Sequence, residues 1–338
     1  MNTQEINEIK ELLSTPKNIV IVPHKNPDGD AIGSTLALSH YLTALGHQTS
    51  VISPNEYPGF LKWIPGEDTI IKYNESTSTA KSKIENAEII FTLDFNHLSR
   101  IGDMEESLSK AEATFIMIDH HQQPDDYAKY TYSDTSMSST CQMVYHFIEK
   151  LDDLKKISPE IATCIYVGIM TDTGSFRFRS TTSVTHRVVS DLIDRGADNT
   201  AIHENIYDTN TLSRLQLKGV ALNNLKVLPE YKTAYISLSQ KELDDHNFRK
   251  GDTEGFVNLG LSIEGIKFAV IFIENKGEGI IKISLRSKGD FSVNEVSRKH
   301  FEGGGHHNAA GGKSNLSLQD TIEKFISILP SYKNVLNP

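Results

Sequence analysis

Three short runs of strand-forming residues, NIVIVP (18–23), AEIIFTLD (87–94) and TFIMID (114–119), are separated by stretches with helical periodicity. That alternation leaves few ways to fold, because strand, helix, strand in repetition builds a parallel sheet with crossover helices. The segment AIGSTLALSHYLTALG (31–46) reads as the first crossover, an amphipathic helix closed by Gly46 at its C-terminal cap. Ser158, Pro159 and Glu160 open a second helix that carries Ile161, Ile165 and Ile169 at i, i+4 and i+8 and ends near Asp172, where Gly174 supplies the break. A further helix is expected near 184–195, and TNTLSRLQLKGVALNNLKVL (209–228) reads as a linking helix. From Tyr231 the pattern turns strand-rich, with NKGEG as a hairpin turn inside GIKFAVIFIENKGEGIIKISLRSKGD. The change of pattern puts a boundary near Pro229.

A chain of 338 residues can bury two separate cores. Its first residues, MNTQEINEIKELLS, lack the basic start and apolar run of a leader, and the longest apolar run is about six residues, FAVIFI, far short of a bilayer span. The two cysteines, Cys141 and Cys164, have no CxxC spacing, which argues against a disulfide framework and a thiolate zinc site. A cytoplasmic protein with no membrane partner is the expectation. The net charge of −10 is unevenly placed: residues 229–338 hold 14 Lys and Arg against 14 Asp and Glu, and the first 228 hold 20 against 30. Such a balance disfavours grip on long duplex nucleic acid. An acidic half that handles phosphates needs bound cations.

Ligands of an open parallel sheet bind beyond the carboxyl ends of its strands, and three strand ends here deliver polar side chains to that edge. After the first come His24, Asp28 and Asp30 in HKNPDGDAIGS; the second ends in Asp94; the third runs into Asp119, His120 and His121. Asp172, at the foot of a helix, can reach the same place. Taken singly, His24 fits a loop histidine, and Asp28 and Asp30 fit a turn aspartate and a helix cap. Gly29 reads as the point where the chain reverses between the two aspartates. Together, so many acids and imidazoles repel one another unless cations lie among them. Carboxylates with imidazoles and no thiolate suit Mn²⁺, Mg²⁺ or a similar ion. More than four ligands suggests two ions sharing a carboxylate, the arrangement that serves phosphoryl displacement. Ser138, Ser139 and Thr140 read foremost as a helix cap, with lining of the site as the weaker alternative, and His47, His186, His203 and His246 read as solvated.

With HKNPDGDAIGS, LDFNHLSRIGD, IDHHQQ, GIMTDTGSFRF and GGGHHNAAGG (303–312) in that order, the chain resembles the DHH superfamily of phosphoesterases. Within it, the resemblance is to the nanoRNase and 3′-phosphoadenosine 5′-phosphate (pAp) phosphatase family with its DHH-associated C-terminal domain. The resemblance implies an α/β chain: a parallel-sheet DHH domain (1–195), a helical linker (196–228) and a smaller α+β substrate-binding domain (229–338), with the active site in the interdomain cleft. It implies two divalent ions, Mn²⁺ first, with Mg²⁺ or Co²⁺ as alternatives. His24 and Asp28 would hold one, Asp30, His120 and Asp172 the other, and Asp94 would bridge them. His121 would face the scissile phosphate, with Asp119 orienting an imidazole behind the site. Arg286, His306, Gly304 and Gly305 would grip the substrate. The implied partners are short RNA oligonucleotides and small nucleotides, and the implied assembly is a homodimer. The implied activity releases mononucleotides from very short RNA and AMP from pAp. Rival readings are hydrolysis of cyclic di-AMP or of linear pApA or pGpG, less so of polyphosphate or pyrophosphate, and, outside enzymes, a non-catalytic nucleotide or metal sensor.

Overall fold

The strand runs pair as the alternation requires. In the computed structural model, which describes residues 1–337, strands β1 (Asn18–Pro23), β2 (Gln48–Ser53), β3 (Ile71–Lys72), β4 (Ile89–Leu93), β5 (Thr114–Asp119) and β6 (Tyr130–Ser133) form one sheet in the order β3-β2-β1-β4-β5-β6, and every pair is parallel. Ile19 and Ile21 of β1, Phe91 and Leu93 of β4 and Ile116 and Ile118 of β5 face one core, and Val20, Val22 and Ile90 face another, as a period of two demands. The first core is closed by α1 (Thr3–Leu12), α2 (Gly29–Ala44), α5 (Thr140–Lys150), α6 (Pro159–Asp172) and α7 (Ser183–Asp194). The second lies beneath α3 (Thr77–Glu85) and α4 (Glu105–Ser109). Helices on both faces explain why the strands read as nearly continuous apolar runs.

Helix α2 departs from the amphipathic expectation, since every residue from Gly29 to Leu38 is buried. It is packed against β1, α5 and α6, so no face of its first half meets water. Gly46, at φ +91°, ends it as expected, with the amide of His47 donating to the carbonyl of Leu42 at 3.1 Å.

The chain divides into two compact units, Met1–Thr209 and Asn210–Pro338. The segment expected as a linker is split between them: α8 (Asn199–His203) falls in the first, and α9 (Leu212–Asn223) with β7 (Lys226–Leu228) in the second. The second unit has a six-stranded mixed sheet of order β11-β12-β10-β9-β8-β7, with β8 (Thr233–Leu238), β9 (Phe268–Asn275), β10 (Ile280–Ser287), β11 (Gly304–His306) and β12 (Ala309–Ser314). Only β8 and β9 pair in parallel. Helices α12 (Val293–His300) and α13 (Leu318–Ile328) cover one face; α9, α10 (Gln240–Asp245) and α11 (Val257–Leu261) cover β8 and β9 on the other. Among the described residues no helix is long and apolar enough to cross a membrane.

Candidate metal centre

Register assembles the site. Pro23 pairs with Leu93, and Leu93 with Ile118, so His24, Asp94 and Asp119 are the next residues on three neighbouring strands. Strands β1 and β4 lie side by side where the strand order reverses, the place at which an open α/β sheet leaves a crevice. Asp94 has φ +66°, a conformation that a residue with a Cβ rarely adopts and that concentrates at functional positions. Its amide donates to the carbonyl of Ile118 at 3.1 Å.

The carboxylate of Asp94 faces two ways. One oxygen, Oδ2, is 3.4 Å from Nε2 of His24; the other, Oδ1, is 3.5 Å from Nε2 of His120 and accepts from the hydroxyl of Thr140 at 3.0 Å. His120 Nε2 also lies 3.4 Å from Asp172 and 3.8 Å from Asp30. Each imidazole has its Nδ1 against a backbone carbonyl, His24 with Lys25 at 2.9 Å and His120 with Met137 at 3.3 Å. That tether turns Nε2 toward the carboxylates, the usual way a ligand histidine is oriented.

Helix ends place the remaining acids. Asp28 is the N-cap of α2, its Oδ1 accepting from the amides of Asp30 and Ala31, both at 3.1 Å, so capping leaves its second oxygen available. Asp30 accepts from the amides of Thr140 at 2.7 Å and Cys141 at 2.8 Å, at the positive end of α5. Asp172 ends α6. Helices α2, α5 and α6 approach closely because they meet through glycines. A Cβ at Gly29 would lie 2.5 Å from Thr171, one at Gly33 2.5 Å from the carbonyl of Cys164, and one at Gly168 2.1 Å from Cys141 Sγ. Gly29 therefore serves helix packing. It is the first residue of α2 and has no left-handed φ, so it is not the chain reversal expected from the sequence.

Three sets of side chains in this unit bring ligand atoms within 4.8 Å of one another: His24 with Asp28 and Asp94; Asp30 with His120 and Asp172; and Asp94 with Asp119 and His121. Their electrostatics are those of an anionic pocket. Burial and the charges of Asp94 and Asp172 push the Asp30 carboxyl well above its ordinary value. Burial, with Asp28 and Asp94, pushes Asp172 up to about 7. Burial disfavours charge on His120 and His24 as well, yet the carboxylates raise both, His120 strongly. Asp94 is held well below the carboxylate range, because hydrogen bonds from His120 and His24 outweigh its burial. Acids that would rather be neutral, beside imidazoles with no thiolate, form a donor set that fits divalent cations. These clusters can hold metal.

His121 differs from its neighbour. Its Nδ1 is 2.7 Å from Asp119 Oδ1, and its amide donates to Asp119 Oδ2 at 2.9 Å. Asn96, outside the sequence-derived set, donates to the carbonyls of His121 and Gln122 at 3.2 and 3.0 Å. Thr140, read as a cap residue, touches both Asp30 and Asp94. His47 is buried and accepts from the amide of Lys17 at 3.1 Å, so it is not solvated.

In the second unit, Arg286 of β10 and His306 of β11 both pair with Ala309 of β12. The three residues form one row across the sheet and point to one face. Leu285 and Ala310 point the other way, into the core under α12 and α13. Gly305 packs so tightly that a Cβ would lie 2.5 Å from the carbonyl oxygen of Ala309, whereas at Gly304 the nearest atom is 3.8 Å away. Gly304 is thus the open one of the pair. Lys282 pairs with Glu278 at 2.7 Å, and Lys288 donates to the carbonyl of Leu261.

Family models described as the DHH family, N-terminal domain, and the DHHA1 domain match residues 18–169 and 230–332. The chain is 30% identical over 309 residues to the "Bifunctional oligoribonuclease and PAP phosphatase NrnA" of Thermus thermophilus, covering 91% of this chain and 88% of that one. It is 29% identical over 318 residues to the "Probable bifunctional oligoribonuclease and PAP phosphatase NrnA" of Streptococcus mutans, covering 94% of each. A solved exopolyphosphatase-related protein from Bacteroides fragilis has a TM-score of 0.95 at 39% identity, covering 100% of this chain and 98% of that one. Both family models match in chain order and the relatives run nearly end to end, so the chain belongs to the DHH family of phosphoesterases.

Proposed function

We propose that this protein is a cytoplasmic hydrolase that uses two divalent ions to release mononucleotides from RNA of a few nucleotides, and AMP from pAp. The observation that carries the reading is the Asp94 carboxylate, whose two oxygens lie 3.4 Å from His24 and 3.5 Å from His120 and so join two donor sets. His24, Asp28 and Asp94 would hold one ion, and Asp30, His120, Asp172 and Asp94 the other. Such ions, Mn²⁺ first and Mg²⁺ or Co²⁺ in its place, neutralise phosphate charge and lower the pKa of attacking water. His121 is oriented through Nδ1 by Asp119, and its Nε2 would hold a proton for the leaving oxygen. Arg286 and His306 would take a substrate phosphate, with Gly304 admitting it close to the backbone. The acidic first 228 residues, 20 basic against 30 acidic, repel long polyanions and favour short ones. The family resemblance adds a homodimer as the expected assembly.

Incubating the protein with Mn²⁺ and 5′-labelled di- to pentaribonucleotides should release mononucleotides at a rate at least about tenfold above that on cyclic di-AMP or pyrophosphate. No mononucleotide release, or faster hydrolysis of cyclic di-AMP, contradicts the proposal. Retained nucleotide binding with no turnover of any phosphoester would instead mark a sensor.

A further inference from the structure

The turn that follows Asp172 has an unusual backbone. Gly174, Ser175 and Phe176 take φ values of +56°, +60° and +64° in succession, which residues bearing a Cβ seldom do. Hydrogen bonds hold the turn in place. The amide of Ser175 donates to the carbonyl of Met170 at 2.8 Å, and that of Phe176 to Oγ1 of Thr173 at 3.0 Å. The amides of Arg177 and Phe178 both donate to the carbonyl of Thr173, at 2.9 and 3.0 Å. The chain therefore doubles back and sets Arg177 and Phe178 beside the residue next to Asp172.

Phe178 is 40% exposed, although one edge of its ring rests on Gly174, where a Cβ would meet the ring at 2.4 Å. Arg177 and Arg179 flank it and are exposed, and Nε of Arg177 donates to the carbonyl of Gly174 at 2.7 Å. Residues 173–180, TGSFRFRS, contain two arginines and no acid, within an N-terminal half that is acidic overall. An exposed aromatic ring with an arginine on either side of it in sequence, in the turn that follows a candidate metal-ligating aspartate, has the chemistry that binds single-stranded nucleic acid: the ring takes a base and the guanidinium groups take phosphate.

We propose that Arg177, Phe178 and Arg179 form a nucleoside subsite, in which Phe178 stacks on a base of the substrate and the two arginines hold the phosphate attached to that nucleoside. The proposal rests on the oligonucleotide reading above and adds to it a reason why the substrate must carry bases.

The test compares wild type, Phe178→Ala, Phe178→Trp and the double variant Arg177→Ala with Arg179→Ala, in Mn²⁺, on pApA and on its two analogues lacking one base or the other. Phe178→Ala should raise KM for pApA about tenfold with kcat retained, and should close the gap between pApA and one abasic analogue. Phe178→Trp should restore both, which a folding defect would not allow. The double arginine variant should raise KM for all three substrates. The subsite is overturned if Phe178→Ala leaves KM for pApA within twofold of wild type, or raises KM equally for pApA and both abasic analogues. A wild type that hydrolyses none of these substrates contradicts the functional reading alone. The subsite is then decided by binding of a 2-aminopurine dinucleotide with a non-hydrolysable link, about tenfold weaker in Phe178→Ala if it exists and unchanged if it does not.

Discussion

Asp94 and His121 do different work, and substitution should separate them. Replacing Asp94 with Asn removes the charge that faces both His24 and His120, so turnover should fall by more than about a thousandfold and metal affinity with it. Replacing His121 with Ala removes a proton donor oriented by Asp119. Turnover should fall about a hundred- to ten-thousandfold while bound metal, measured by equilibrium dialysis, stays near the wild-type count. Loss of metal in the His121 variant would make that residue a ligand. The residues of this site were legible because strand ends deliver them in short, recognisable spacings. Thr140 was legible only as a helix cap with a weaker site-lining reading, because it meets Asp94 and Asp30 only after the helices pack, from 46 and 110 residues away. Asp28 shows a further limit of reading residues one at a time: the helix cap expected of Asp30 is made by Asp28 instead, and that capping bond does not exclude a ligand role for the other oxygen of Asp28.

At the scale of elements, the site depends on how closely α2, α5 and α6 can pack. A Cβ at Gly168 would lie 2.1 Å from Cys141 Sγ and 2.7 Å from Asp30 Oδ1. Gly168→Ala should therefore destabilise the fold by about 1–3 kcal/mol, read as a lowered denaturation midpoint, and should weaken activity further by moving Asp30 away from α5. Gly219, on α9, is the control, because a Cβ there would have nothing within 4 Å: Gly219→Ala should stabilise by up to about 1 kcal/mol. Equal effects at the two glycines would contradict the packing argument. The long elements were readable because β1, β4, β5 and α6 carry unbroken apolar patterns. Strands β2, β3 and β6 were not. Gln48, Thr49 and Ser50 open β2 with polar residues that are exposed or half-buried, β3 has two residues, and β6 is a four-residue edge strand paired with β5. Periodicity has little to act on in such strands.

At the scale of the molecule, the anionic pocket links stability to pH and metal. Asp30, Asp172, His120 and His24 all hold protons more tightly in the folded chain than ordinary groups do. The metal-free native state thus binds more protons than the unfolded chain, and its stability falls as pH rises from the ordinary carboxylate range through about 7, the value for Asp172. Asp94 works in the opposite sense, but only below the carboxylate range. Divalent ions displace those protons, so the rise in Tm on adding Mn²⁺ should be larger at pH 8 than at pH 5.5. An equal or smaller rise at pH 8, measured by differential scanning calorimetry, would contradict this linkage.

The number of ions that Asp94 joins distinguishes a binuclear centre from a single-ion site most directly. Equilibrium dialysis against Mn²⁺ at pH 8, with turnover of a labelled trinucleotide followed in the same samples, should give two ions per chain, with activity tracking the second. One ion per chain at full activity, or two ions that survive Asp94→Asn with activity intact, would contradict it.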